Sequence, residues 1–288
     1  MHLVKDLLVP ATVIETLYSA RRVHFEVDEL ATNSYVVFRN ELNEKQTAFA
    51  RHLGHGNFLL CGGTYKLGSI TTRDSHQSAF ADAMLNPEII VNVALGAAGT
   101  GKSSLALSYA CEQYLTSKKK IILCKPAVMV GHGKAFGAIP GDFSEKYAPY
   151  LASFEIVLKK LLSNKADVYL KQMLDNKDLE FIPLELARGC TYENCTFILD
   201  ESQNTTWSEM NTLLSRIGEG SKFIALGDLN QIDIRVPARH TGLYTLVNSA
   251  PFSGSSICSA VELKTQYRSA ICQLATEIHE WVQNENAK

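Results

Sequence analysis

Residues 96–103 read GAAGTGKS and match the pattern GxxxxGK[ST]. Glycines in such a loop let backbone N–H groups approach phosphate oxygens that side chains would otherwise keep away. The lysine that follows reaches the β and γ phosphates, and the next hydroxyl ligates Mg²⁺. A dinucleotide-binding turn would instead need GxGxxG, which GAAGTG lacks. We therefore predict a nucleoside triphosphate site built from Gly96, Ala97, Ala98, Gly99, Thr100, Gly101, Lys102, Ser103 and Ser104.

Two further runs carry side chains suited to phosphate chemistry. The run FILDES ends in two adjacent carboxylates. We expect Asp200 to hold Mg²⁺ through its water shell and Glu201 to act as the base or positioning group for an attacking water. The run GDLNQID offers Gln231 beside the γ-phosphate, with Asp228 nearby. Asp and Asn at a strand end are also ordinary turn formers.

These side chains follow the ends of predicted strands. From about residue 89, short β-rich runs alternate with amphipathic stretches, which is typical of βαβ units around a parallel sheet. One helix is predicted from near Lys102, and another from Thr206 as N-cap, with Glu209 completing a capping box and Gly218 as the stop. The expected fold class is α/β, with the ligand crevice at the carboxyl ends of the strands. The predicted strands are 89–96, 121–126, 195–200 and 222–228.

The first quarter of the chain reads differently. Residues 1–75 are predicted to be a small N-terminal region of uncertain fold, followed by a P-loop domain over residues 76–288. Within the first region we predict a helix at ATVIETLYSA, a strand at SYVVFR and a hairpin around Gly62–Gly63. Two similar strings, KQTAFA from Lys45 and HQSAFA from His76, are interpreted as two helix starts.

Composition bounds the function classes. The chain has 46% hydrophobic and 20% charged residues, as ordinary globular proteins do. No apolar run approaches the roughly 20 residues of a membrane helix, and the N-terminus lacks a secretory-signal pattern, so we expect the cytoplasm and no membrane. Seven scattered cysteines without a CxxC pair argue against a disulfide framework or a zinc site. A net charge of −2 means that any nucleic-acid binding must be local.

Four segments follow one another along the chain: GAAGTGKS, GAIPGDFSEKYAPYL, LELARGCTYENCTFILDESQNTT and LLSRIGEGSKFIALGDLNQID. Together they resemble the PhoH family, a group of P-loop ATPases close to the cores of superfamily 1 helicases. The resemblance covers about residues 74–270. It implies a RecA-like parallel sheet flanked by helices, in which the strand 222–228 lies between the loop strand and the FILDES strand.

The same resemblance implies two further site residues. Gln77 matches the adenine-recognising glutamine, whereas Gln46 stands in a similar string too far upstream. Arg268, in VELKTQYRSAI, matches an arginine that contacts the γ-phosphate, a role that a guanidinium suits. This arginine acts either within its own chain or across the subunits of a ring such as a hexamer. The chain departs from the family pattern with Ala97 in place of proline and Ser202 in place of alanine.

The implied activity is Mg²⁺-dependent ATP hydrolysis coupled to RNA or single-stranded DNA. Such compact chains occur in bacteria and in phages, so the expected location is the cytoplasm, that of the host if the chain is viral. An alternative is an ATP-switched, stress-associated regulatory or assembly protein. A small-molecule kinase is disfavoured, because Glu201 and Gln231 suit water activation. The predicted catalytic residues are Lys102, Glu201, Gln231 and Arg268, and the candidate nucleic-acid contacts are Lys125, His132, Lys134 and Lys146.

Overall fold

The computed structural model describes residues 4–126, 155–157, 159–160 and 165–267, together with residues 274 and 278. The strands are β1 (Lys5–Val9), β2 (Arg22–His24), β3 (Tyr35–Asn40), β4 (Asn43–Gly54), β5 (Asn57–Leu60), β6 (Lys66–Leu67), β7 (Ile70–Thr71), β8 (Val91–Leu95), β9 (Lys120–Lys125), β10 (Leu179–Pro183), β11 (Cys195–Leu199), β12 (Lys222–Gly227) and β13 (Cys258–Glu262). The α-helices are α1 (Ala11–Ala20), α2 (Ser75–Leu85), α3 (Lys102–Ser117), α4 (Ala166–Asp175), α5 (Trp207–Leu214), α6 (Gly242–Asn248) and α7 (Ala250–Gly254).

A six-stranded parallel sheet carries the predicted site, in the order β10-β9-β11-β12-β8-β13. The four strands predicted from the sequence form its centre. As the family resemblance implied, β12 lies between β8 and β11. The two edge strands, β10 and β13, were not predicted. The expected α/β class with a RecA-like parallel sheet flanked by helices is confirmed.

Both predicted helices beside the sheet are present, but one of them is shorter than expected. Helix α5 begins with the predicted capping box of Thr206 and Glu209. It ends at Leu214, so the prediction that Gly218 stops it is wrong. A Cβ at Gly218 would lie 2.6 Å from Glu193 Cγ, so this glycine serves a close approach of two loops. In the part of the chain that the structure describes, no helix has the length and apolar character to cross a membrane.

The N-terminal residues form a five-stranded sheet in the order β1-β3-β4-β5-β2. The predicted helix and strand are confirmed as α1 and β3, and HQSAFA lies in α2 as expected. KQTAFA, however, lies in β4, so the prediction of a helix start there is wrong. An extended strand is favoured here because both faces of β4 are covered by hydrophobic residues. Ala48 and Ala50 are buried in the core that includes α1, while Phe49, on the opposite face, packs against the neighbouring core. The predicted domain boundary after residue 75 stays a prediction.

The predicted hairpin around Gly62–Gly63 is also wrong. The tight turn lies further on, where β6 and β7 pair through Leu67 and Ile70. Gly68 occupies this turn with a φ of 56°, in the left-handed region that glycine tolerates best. Its backbone N–H donates to the carboxylate of Glu112 in α3 at 3.1 Å, which holds the hairpin against the phosphate-loop helix.

Helix α2, which carries Gln77, is anchored at both ends. Its N-cap Asp74 accepts a hydrogen bond from the backbone N–H of Gln77 at 2.7 Å. At its other end, the Lys222 ammonium group donates to the carbonyls of Met84 and Asn86. Burial lowers the pKa of Lys222 to about 7. Because Lys222 begins β12, the position of α2 is fixed relative to the central sheet.

Asp82 of α2 joins this helix to the N-terminal sheet. Its carboxylate accepts hydrogen bonds from the hydroxyls of Tyr35 at 2.8 Å and Tyr65 at 2.6 Å. It also lies 3.7 Å from Nε of Arg51, a cation whose side chain is 9% exposed. Burial, with Asp82 adding to it, raises the pKa of Tyr35, so its hydroxyl remains protonated and can donate.

We expect Asp82→Ala to lower the free energy of unfolding by about 3 to 5 kcal/mol, because it leaves the Arg51 cation buried without its partner. Urea denaturation measures this change. The matched control is Asp6→Ala, which removes only the exposed pair with Arg39 and should cost less than about 1 kcal/mol. An equally small change for both variants would contradict a structural role for Asp82.

Candidate nucleotide site

A cavity of about 860 Å³ opens at the carboxyl ends of the central strands. This volume lies within the range of about 300 to 1,000 Å³ that is common for ligand pockets. The phosphate loop, the acidic pair and the end of β12 all contribute to its wall. The predicted site residues that line it are Gln77, Ala98, Gly99, Gly101, Lys102, Ser103, Ser104, Asp200, Glu201 and Gln231.

The loop conformation explains two of its glycines. Gly96 has a φ of 137°, and a Cβ there would lie 2.2 Å from the carbonyl oxygen of Leu263. Gly101 has a φ of 97°, and a Cβ there would lie 2.9 Å from Nε2 of Gln77. Gly101 also caps α3 without a side-chain hydrogen bond, and the first residues of this helix line the cavity. Such a helix start favours an anion.

The remaining predicted loop residues shape the loop behind this wall. The hydroxyl of Thr100 donates to the carbonyl of Ala97 at 2.9 Å. The ammonium group of Lys102 donates to the carbonyls of Gly96 and Ala97, the latter at 3.0 Å. Lys102, which lines the cavity, therefore has its ammonium group on the carbonyls of the phosphate loop.

The two acids differ in their surroundings. Burial, with Glu201 adding to it, raises the pKa of Asp200 above its usual value. Glu201 adopts a left-handed backbone with a φ of 52°, which is uncommon for a residue other than glycine. Its carboxylate lies 3.8 Å from the ammonium group of Lys125. The side chain of Lys125 therefore lies at the acidic pair. Its expected contact with nucleic acid stays a prediction.

Gln203 is a site residue that the sequence analysis missed. Its buried amide nitrogen donates to the Glu201 carboxylate at 2.7 Å and to the carbonyl of Gln231 at 3.0 Å. Its amide oxygen accepts from the backbone N–H of Asp228 at 3.1 Å. One side chain thus positions the predicted base and holds the loop that carries Gln231. The only signal in the sequence is that Gln203 is a polar residue two positions after the acidic pair.

The neighbours of Gln203 complete the link between the two strand ends. The hydroxyl of Ser202, where the family pattern has alanine, donates to the carbonyl of Leu226 in β12 at 2.8 Å. Asn204 donates to the Asp233 carboxylate at 3.0 Å and accepts from the backbone N–H of Asp233 at 2.8 Å. The loop after β12 is therefore clamped to the short 3-10 turn that follows Glu201.

Gln77 stands at another side of the cavity. Its amide oxygen accepts from the backbone N–H of Arg73 at 3.0 Å, and its amide nitrogen donates to the carbonyl of Thr100 at 3.0 Å. Because a carboxamide has two acceptor and two donor positions, one of each stays available for a ligand. Gln46, which stands in the similar string upstream, lies in β4 and does not line this cavity.

Tyr267 also lines the cavity, although the sequence analysis did not select it. The guanidinium of Arg73 lies over its ring, with Cζ 4.9 Å from the ring centroid. Its hydroxyl donates to Asp74 at 2.6 Å, and its backbone N–H donates to the carbonyl of Gly99 at 3.0 Å. The next residue, Arg268, lies outside the described residues, as do His132, Lys134 and Lys146.

The residues at the acidic pair fit Mg²⁺. Ser103 and Asp200 both present oxygen atoms to the same cavity, and oxygen is the ligand that this cation prefers. Mg²⁺ commonly takes only one or two protein ligands and keeps several waters, so two such side chains suffice. Burial and the neighbouring Glu201 raise the pKa of Asp200 although Lys125 and Lys102 act in the opposite direction, and a bound cation would further favour the charged carboxylate.

Comparison with known proteins gives one family. The sequence model of the family described as PhoH-like protein matches residues 69–280. A PhoH-like protein of Bacillus subtilis is 38% identical over 167 residues, which is 58% of this chain and 50% of that protein. Protein PhoH2 of the same organism is 29% identical over 283 residues, covering 95% of this chain and 63% of its own length. Protein PhoH2 of Thermobispora bispora is 30% identical over 239 residues, covering 82% and 53%.

This chain spans between half and two thirds of the lengths of these relatives. Among solved structures, the Pif1 helicase from Candida albicans is similar with a TM-score of 0.37 and 18% sequence identity. That similarity covers 72% of this chain and 43% of the helicase chain.

Proposed function

Because the chain belongs to the PhoH-like protein family, we propose that it is a Mg²⁺-dependent ATPase whose hydrolysis is coupled to binding of RNA or single-stranded DNA. The observation that supports hydrolysis best is the convergence of three groups in one cavity. These groups are the phosphate loop, the acidic pair and the loop that carries Gln231. A site that only held a nucleotide would not require Glu201 to be fixed beside it by Gln203.

Each side chain has a role in the proposed reaction. The helix start at Gly101 and the Lys102 ammonium group bind the phosphates, and Lys102 exchanges its contacts with loop carbonyls for contacts with phosphate oxygens. Ser103 and Asp200 hold Mg²⁺, which when bound offsets the negative charge of the β and γ phosphates.

Glu201 provides the base for hydrolysis. It takes a proton from the water that attacks the γ-phosphorus, while the bond from that phosphorus to the bridging oxygen breaks and ADP leaves. Gln203 holds the Glu201 carboxylate, and Gln231, which lines the same cavity, contacts the γ-phosphate. The Arg268 guanidinium supplies positive charge to the same phosphate, from the same chain or from a neighbouring copy in a ring.

Gln77 gives the site its preference for adenine. Its free acceptor and donor positions match the exocyclic amino group and N7 of adenine, whereas guanine presents a carbonyl in place of the amino group. We expect Gln77→Ala to reduce the ratio of kcat/KM for ATP over GTP by roughly tenfold. Parallel hydrolysis assays with the two nucleotides measure this ratio. An equal loss for both nucleotides would show that Gln77 only supports the loop through Thr100.

The nucleic-acid partner is supported by the likeness of the motifs to superfamily 1 helicase cores. The test is steady-state ATP hydrolysis with and without a single strand of RNA or DNA. A rise in turnover on addition of the strand supports coupling. Turnover that is indifferent to both strands would favour the alternative of an ATP-switched regulatory or assembly protein.

A further inference from the structure

Exposed basic and aromatic side chains lie together just beyond the nucleotide site. Trp207 and Tyr244 are 41% and 37% exposed, so part of each aromatic ring is accessible from solvent. Three basic residues in the loop after β12 are exposed as well. We call this surface the basic–aromatic strip and define it as Trp207, Tyr244, Arg235, Arg239 and His240.

The backbone brings the two parts of the strip together. Thr206 and Thr241 form an antiparallel bridge, so the residues that flank the bridge, Trp207 and His240, are neighbours. The backbone N–H of Gly242 donates to the carbonyl of Thr205 at 2.7 Å on the other side of the bridge. A Cβ at Gly242 would lie 2.6 Å from the carbonyl oxygen of Thr206, so this close approach depends on glycine.

The basic residues Arg235, Arg239 and His240 take part in no ion pair among the described residues. The carboxylates of Asp233 and Glu209, the acids nearest to the strip in sequence, accept hydrogen bonds from Asn204 and from the backbone N–H of Thr206. The guanidinium groups of Arg235 and Arg239 can therefore contact an anionic partner.

The strip is also joined to the catalytic residues. Trp207 follows the 3-10 turn after Glu201, and the three basic residues follow the loop that carries Gln231. Gln203 and Asn204 clamp these two segments to each other through Gln231, Asp228 and Asp233. A ligand bound to the strip would thus contact residues that follow both the turn after Glu201 and the loop that carries Gln231, the two segments proposed to act on the γ-phosphate.

We propose that the basic–aromatic strip binds a single strand of nucleic acid. Bases stack on Trp207 and Tyr244, and phosphates contact Arg235 and Arg239, since aromatic platforms and guanidinium groups are the usual means of holding single strands. The proposal rests on the proposed function for the class of partner, and it assigns the surface that this partner occupies.

The test is binding of a labelled oligouridine or oligothymidine of about 20 nucleotides, longer than one typical site. Trp207→Ala should weaken binding by roughly five- to 150-fold, the range for loss of one stacked base, and Trp207→Phe should retain most of the affinity. Arg235→Gln combined with Arg239→Gln should reduce the slope of log affinity against log salt by about 1.4, or about 0.7 for each phosphate contact.

The matched controls are Tyr18→Ala and Arg22→Gln, which change an exposed aromatic and an exposed basic residue of the N-terminal region. Both should bind as the wild type does. If the wild type binds and the strip variants bind equally well, the strip is not the interface, although the nucleic-acid partner stands. If the wild type hydrolyses ATP but binds neither strand at low salt, the partner and the strip are both overturned.

Discussion

Replacing Glu201 with glutamine should lower the turnover of ATP by about a hundred- to ten-thousand-fold while ATP binding is retained. Glutamine has the same shape as glutamate, and its amide oxygen can still accept the hydrogen bond from Gln203. It cannot take the proton of the attacking water, so only the chemical step is affected. Phosphate release gives the turnover, and displacement of a fluorescent nucleotide gives the affinity.

Glu219→Gln is the matched control for this change, because Glu219 is an exposed glutamate in the loop before β12. Its turnover should equal that of the wild type. Undiminished hydrolysis by the Glu201→Gln variant would remove Glu201 from the role of base. A loss of nucleotide binding together with turnover would point instead to a structural role for this residue.

Lys102→Ala should abolish measurable hydrolysis, with a loss of at least about a hundredfold, and should also weaken the binding of ATP. The reason is that Lys102 is the loop side chain that brings positive charge to the β and γ phosphates. The loop itself should persist, because Gly96 and Gly101 determine its course. Assays of phosphate release and of nucleotide affinity measure the two effects.

Lys171→Ala is a suitable control, since Lys171 is an exposed lysine in α4 that does not line the cavity. It should leave both quantities unchanged. A Lys102→Ala variant that binds and hydrolyses ATP normally would mean that the phosphates lie elsewhere in the protein.

The centre of the fold and most residues that line the candidate site could be predicted from the sequence, because local patterns indicate them. A hydrophobic run followed by polar residues predicts each central strand and the polar site residue that follows it. The glycines, Lys102 and Ser103 occur in one contiguous run, and a plain strand-to-helix turn would not require that lysine and serine. The order of the strands, by contrast, required the family resemblance.

The parts that were missed depend on contacts between distant residues. Gln203 binds groups 25 and 28 residues away, so no local pattern reveals its partners. The edge strand β13 reads CSAVE and gains its strand character from pairing with β8. KQTAFA and HQSAFA share four of six residues, yet the first is a strand and the second is helical. The pairing of β4 with β3 and β5 decides the conformation of KQTAFA.

Hydrolysis of ATP in this cavity with the help of Mg²⁺ is tested most directly by steady-state phosphate release from ATP. The release is measured with the wild-type chain in Mg²⁺ and in EDTA, with and without a single strand of nucleic acid. We predict phosphate release in Mg²⁺ that stops in EDTA and in the Glu201→Gln variant. Tight binding of ATP without phosphate release under any of these conditions would contradict it.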